Sequence, residues 1–214
     1  VLLLEDSSSY QLQGFTTLRL DSIHYQQEHL NVLYSGDTIV DPSAWSQSCL
    51  VQAWIASVLR LSQQCKGQRL YWLLLSSGYR TYRFLPTFWK QFYPCCMTDT
   101  PLYERELMQW LGHRYFGDRY DAASGVVRFP ETYVLRDRLQ EIAPGRFQNR
   151  HIRFFTERNP GHVLGDNLVC LTEISRDNLT KAGQRMWPIS PSTSQDKAPQ
   201  VPVGVASASD PTNR

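Results

Sequence analysis

The sequence predicts an α/β fold, a mixed sheet flanked by helices, with a helical insertion and a disordered C-terminal tail. Three observations lead there. The apolar run Leu70-Tyr-Trp-Leu-Leu-Leu75, bounded by Gly67 and Gly78, has the pattern of a central strand buried on both faces. Ahead of it, Leu50, Trp54, Val58, Leu61 and Cys65 recur at helical spacing. Further upstream, Phe15 to Asp21 alternates between apolar and polar residues as a half-buried strand does. A strand, a helix and a buried strand in this order make a crossover unit.

The elements follow in chain order. After the strand at Phe15, His29 to Val40 reads as two short antiparallel strands interrupted by Ser35-Gly36-Asp37, a turn or bulge signal. Asp41-Pro42 starts the helix, because Asp caps free N–H groups and proline at the first helical position forfeits no hydrogen bond. Lys66-Gly67 ends it. Ser76-Ser77-Gly78 breaks the central strand, and Tyr79 to Tyr93 reads as a helix bent at Pro86, with Tyr82, Leu85, Trp89 and Phe92 on one side. Thr100-Pro101 repeats the cap-and-proline start for a helix over Leu102 to Phe116, stopped by Gly117. Gly125 to Phe129 suits a short strand, and Glu131 to Ile142 a helix with Leu135, Leu139 and Ile142 on one stripe, ended by Pro144-Gly145. Two closing strands, His151 to Thr156 and Asn167 to Ile174, are joined by the loop Glu157 to Asp166, and Ser175 caps a short terminal helix. Residues 1–187 then form a single domain with 94–150 as its insertion. Residues 188–214, with no aromatic side chain, form a tail too poor in apolar groups to offset the entropy of ordering.

Composition bounds the function. Twenty-two Lys and Arg against twenty Asp and Glu leave a net charge of +2, so bulk charge predicts no nucleic-acid partner. Apolar runs fall far short of the roughly 20 residues that span a bilayer, so no membrane span and a soluble, cytoplasmic protein are expected. Cys49, Cys65, Cys95, Cys96 and Cys170 are odd in number and lack a CxxC pair, which argues against a disulfide framework and a structural zinc site. The five histidines show neither HxH nor HExxH spacing, so no metal is expected.

Chemistry is expected at the carboxyl ends of the strands, where helix N-termini favour anions. Gly36 to Ser48 and Ser76-Ser77-Gly78-Tyr79-Arg80 are the two such places. Arg80 and Arg83, three residues apart, present two guanidinium groups on one helix face and can grip a phosphate or carboxylate. A phosphate-bearing ligand is therefore expected, although neither GxxxxGK[ST] nor GxGxxG occurs.

This order of elements, with the strand interrupted near Ser35-Gly36 and the stretch LYWLLLSSGYRTYRFLP, resembles the GNAT superfamily of acyl-CoA N-acyltransferases over residues 15 to 93 and 151 to 174. In that family the splayed strands around the first helix admit a pantetheine arm. The resemblance implies acyl transfer from CoA or a carrier protein to an amine or hydroxyl, with acyl-CoA as co-substrate and no tightly bound cofactor. It implies donor binding by Ser35, Gly36, Asp37, Ser77, Gly78, Arg80 and Arg83. It further implies that Tyr79 or Tyr82 protonates the leaving thiolate, a role suited to a neutral hydroxyl. Glu157, His162 and Asp37 are the candidate bases.

Two other readings stand beside it. A non-catalytic module would bind a protein partner through the aromatic and basic helix face, and an accessible patch around Trp89, Tyr93 and Trp110 would favour it. A thiol hydrolase would use Cys170 with His162 and Asp166. The alternation through Asn167 to Ile174 instead puts Cys170 beside Leu168 as a buried strand residue.

Overall fold

A computed structural model describes residues 1–44, 49–65, 67–130 and 142–186. Strands β1 (Leu2–Glu5), β2 (Leu12–Tyr25) and β3 (Glu28–Val40) lead to helix α1 (Cys49–Gln64) and strand β4 (Leu70–Ser76). Helices α2 (Tyr79–Tyr82), α3 (Phe84–Phe88) and α4 (Leu102–Phe116) follow, then short strands β5 (Tyr120–Asp121) and β6 (Val126–Val127). Helix α5 (Arg150–Arg158), strand β7 (Asn167–Glu173) and helix α6 (Lys181–Arg185) close the described chain. All seven strands join one mixed sheet in the order β1-β2-β3-β4-β7-β6-β5. Only the β3–β4 pair is parallel, as a strand–helix–strand crossover requires. Every other neighbouring pair is antiparallel.

Alternation along the central strands feeds two cores. Leu33, Trp72, Leu74, Leu168 and Cys170 face one way and pack with Trp54, Ile55, Val58 and Leu59 of α1, with Tyr79, Tyr82, Leu85 and Phe88 of α2 and α3, and with Ile152 and Phe155 of α5. Val32, Tyr71, Leu73, Val169 and Leu171 face the other way, onto Leu107, Met108 and Leu111 of α4. Both faces of β4 are therefore buried, which explains why its sequence is continuously apolar instead of alternating. At fully buried positions such as Leu33, Leu73 and Leu171, each side chain contributes about 1.5–3 kcal/mol through removal from water. Among the described residues no helix is long and apolar enough to cross a membrane.

Several local expectations are corrected. Residues 151 to 156 are helical: Asn149 caps α5 by accepting from the His151 N–H at 2.9 Å, and Ile152 and Phe155, three apart, form its buried side. The sheet therefore closes with β7 antiparallel to β4 and with short β6 beside it, so segment 94–150 supplies strands as well as α4. Tyr79 to Tyr93 is no single helix. It breaks after Tyr82 and again at Trp89, whose extended backbone bridges to Leu179. Residues 28–40 form one strand, β3, and Asp41-Pro42 opens a 3-10 turn, Pro42–Ala44, ahead of α1. The terminal helix α6 is capped by Thr180, which accepts from the Gly183 N–H at 3.2 Å, and not by Ser175. The expected helix over 131–142 lies, but for Ile142, outside the described residues, as does the tail over 188–214.

Candidate functional site

The parallel ladder between β3 and β4 is short. It runs from Asn31 opposite Leu70 to Ser35 opposite Leu74, and there it stops. Beyond that point β3 continues through Val40 paired only with β2, while β4 continues to Ser76 paired only with β7. The cause is local. On β2, Thr16 pairs with Thr38 and Leu18 with Ser35, so β3 spends one more residue than β2 across this interval. An extra residue bends its strand and increases the twist. This bulge, at Gly36-Asp37, falls where β3 and β4 cease to pair, so the sheet is split between Gly36–Val40 and the end of β4. Gly36 suits the position because a Cβ there would lie 2.5 Å from Thr17 Oγ1. Past the bulge, the Thr16 and Thr38 hydroxyls hydrogen-bond at 2.8 Å and fix the new register.

Ser35 anchors the closed end of the split. Its buried hydroxyl accepts from the Trp72 indole N–H at 2.9 Å, tying the last paired residue of β3 to β4. On the other arm, Ser76 is fully buried, and its carbonyl accepts from Asn159 Nδ2 at 3.5 Å. The same amide group donates to the Asp166 carbonyl at 2.9 Å, holding the α5–β7 connection against the end of β4. Ser77 and Gly78 follow, both half-buried, with extended Gly78 leading into α2. The split is thus flanked by Gly36 and Asp37 on one arm and by Leu75, Ser76 and Ser77 on the other. Asp37 is exposed. Downstream, Asp41 caps Ser43 through its backbone N–H at 2.9 Å.

The other sequence-predicted residues are dispersed. Tyr82 is fully buried, donates its hydroxyl to the Pro94 carbonyl at 2.9 Å and packs against Phe92, Phe154 and Phe155. Burial raises its pKa far above the ordinary tyrosine value. Tyr79 is buried at the first turn of α2, with the Arg146 guanidinium 6.0 Å from its ring centre. Arg80 and Arg83 are exposed. Glu157 is exposed on the last turn of α5, while His162 Nδ1 engages the Asn159 carbonyl at 2.8 Å and its ring meets Phe155 edge-on.

Cys170 is fully buried, with its Sγ 3.7 Å from Ser76 Oγ, and burial pushes its thiol up to about 12. Its sulfur contacts Ser76 Oγ and the Leu168 carbonyl, whereas His162 Nδ1 engages the Asn159 carbonyl, so a thiol–imidazole pair is not assembled there. Trp89, expected on an accessible aromatic patch, is 1% exposed and belongs to the core. Tyr82, Trp89 and Phe92 of that helix face point inward, while Arg80, Arg83 and Phe84 are exposed. Among the described residues no three His, Cys, Asp or Glu side chains converge as a metal site.

Two hollows among the described residues bear on the site. The larger, about 550 Å³, runs past Trp89, Phe92, Tyr93, Cys95, Met97 and His151 and touches neither arm of the split. The smaller, about 340 Å³, lies on the α4 face at the bulge itself and is lined by Thr17, Arg19, Tyr34, Gly36, Tyr115, Phe116, Arg119 and Phe129. No sequence pattern announces this second hollow, because its walls come from β2, β3, the end of α4 and the segment after β6.

Comparison with known proteins returns no match to any protein family, curated protein or solved structure.

Proposed function

We propose that the protein transfers an acyl group from a thioester on a pantetheine arm, carried by CoA or by a carrier protein, to an amine or hydroxyl acceptor. The split between β3 and β4 supports this reading above all other features. A strand edge that has lost its neighbour offers N–H and C=O groups to any extended ligand that can pair with them. Pantetheine is such a ligand: a narrow chain with amide groups spaced along it. Laid between Gly36–Val40 and the end of β4, it would complete the ladder that the bulge interrupts. The arrangement, with a bulged strand, the crossover helix α1 and a parallel neighbour, also resembles the GNAT superfamily.

In this reaction the acceptor nitrogen or oxygen attacks the thioester carbonyl carbon. The new bond to that carbon forms, the C–S bond breaks, and the proton lost by the acceptor ends on the departing thiolate. Tyr82 is committed to the Pro94 carbonyl in the core, so proton delivery falls to Tyr79, which follows the β4 arm directly. Asp37, exposed at the bulge, is the acidic side chain that would hold an ammonium acceptor and take the proton it loses before attack.

Thermal melting with CoA, acetyl-CoA, longer acyl-CoAs and acetyl-pantetheine tests the reading, because a ligand of the native state alone raises stability by mass action. The expected result is a rise with at least one thioester, together with transfer of its acyl group to an amine followed by mass spectrometry. Tyr79→Phe should then slow transfer at least tenfold while leaving the melting shift intact. A folded protein that neither binds nor turns over any of these thioesters contradicts the proposal.

A further inference from the structure

The hollow at the bulge has features that the donor reading does not use. Its walls are aromatic: Tyr34 packs on Tyr115 and on Phe116 with ring centres 5.8 Å apart in both pairs, and Phe116 meets Phe129 edge-on at 6.4 Å. At about 340 Å³ it lies at the small end of the range for ligand sites. Thr17 and Gly36, the residues facing each other across the bulge, both line it. The hollow therefore reaches the bulge at which the proposed donor split begins.

Its charges are unevenly committed. Arg19 is paired with Asp21 at 3.0 Å and leans over the Tyr115 ring at 5.7 Å. Asp21 is satisfied in turn, since its other oxygen accepts a short hydrogen bond from the Tyr115 hydroxyl. Arg119 differs: it is exposed on the turn after α4, its guanidinium lies 5.7 Å from the Phe129 ring centre, and no carboxylate among the described residues pairs with it. Asp118 precedes it on the same turn and is exposed. Asp37 follows Gly36, which lines the hollow, and is exposed; its carboxylate helps raise the Tyr34 hydroxyl's pKa, after burial. An aromatic hollow thus has an available guanidinium in its wall and an acidic residue next in the chain to its glycine wall.

We propose that this hollow is the acceptor site and takes a small aromatic amine that also bears a carboxylate, an aromatic amino acid in chemical class. The inference rests on the acyl-transfer reading for the role and on the hollow alone for the ligand. The ring lies in the hollow against the aromatic wall that Tyr34, Phe116 and Phe129 form. The carboxylate pairs with Arg119, whose planar fork suits it. The amine points to the bulge, where Asp37 draws its ammonium form and takes one proton; the neutral nitrogen then attacks the thioester carbon, the C–N bond forms as the C–S bond breaks, and the second proton lost from nitrogen ends on the thiolate.

Isothermal titration of the full chain with L-phenylalanine and with phenethylamine, which lacks the carboxylate, tests this without any acyl donor. L-Phenylalanine is expected to bind, with affinity at least tenfold weaker in Arg119→Ala, while phenethylamine binds both proteins equally. Arg119 is exposed, so the variant keeps the fold, and an unchanged melting temperature checks this. Absent binding of L-phenylalanine, or binding indifferent to Arg119→Ala, overturns the proposal and leaves donor binding untouched. Arg119-dependent binding with no response to any thioester overturns the acceptor role and the acyl-transfer reading together.

Discussion

Ser35 and Leu74 are the last residues to pair across the parallel β3–β4 ladder, and one residue later the two strands part. The Trp72 indole reaches over this pair to donate to Ser35 Oγ at 2.9 Å, so the closing point of the split is fastened by a buried hydrogen bond. The bulge at Gly36-Asp37 falls where this pairing ends.

Ser35→Ala should destabilise the protein by about 1–3 kcal/mol, because it leaves the buried Trp72 N–H without an acceptor. Trp72→Phe in the Ser35→Ala background removes that stranded donor. Urea denaturation of the single and double variants should therefore reveal coupling, and purely additive losses would argue that the bond contributes nothing.

Gly36→Ala places a methyl 2.5 Å from Thr17 Oγ1, so it forces the bulge or the threonine to move. The expected cost is about 1–3 kcal/mol, the range for overpacking. Thr17→Ala removes the obstructing oxygen and should rescue most of it. Equal losses in both backgrounds, read by equilibrium unfolding, would place the cause in the backbone and not in the contact.

Cys170, fully buried with its thiol pushed up to about 12, should resist iodoacetamide in the native protein and react only after unfolding. Peptide mass spectrometry after brief labelling distinguishes the two states. Rapid native labelling of Cys170 would revive the hydrolase alternative.

His151, half-buried beside Cys96 with Sγ 3.3 Å from Nδ1, has its pKa lowered below 6.5 by burial and, to a smaller degree, by neighbouring Arg150. A group whose folded pKa is depressed is protonated first in the unfolded chain. Its contribution is thus fully present above about pH 6.5 and is lost as pH falls through the lower folded value. The melting temperature should decline over that window, and His151→Gln should flatten this component of the decline. A profile identical in both proteins would show that His151 does not carry it.

The parts of the fold legible in the sequence are those decided by local pattern. The continuous apolar run at Leu70, the helical spacing from Leu50 to Cys65 and the Ser35-Gly36-Asp37 interruption each report a single element and its immediate surroundings. Residues 151 to 156 misled because Ile152, Phe154 and Phe155 suit either periodicity over so short a span, and the deciding feature was the Asn149 cap. Tyr79 to Tyr93 misled because an apolar side at helical spacing does not reveal that Trp89 leaves the helix to bridge Leu179. For the site, Gly36 and Asp37 carried a local signal. Arg119, Phe129 and Tyr115 meet Tyr34 only through tertiary packing, and no spacing along the chain records that.

The most direct measurement is hydrogen exchange along the backbone with and without saturating acyl-CoA. A ligand that completes the β3–β4 ladder should slow exchange of amides within 36–40 and 75–78, with little change around the larger hollow at Phe92, Tyr93 and Cys95. Protection confined to that larger hollow, or no protection under conditions where the thioester is bound, would contradict the claim that the split is the donor site.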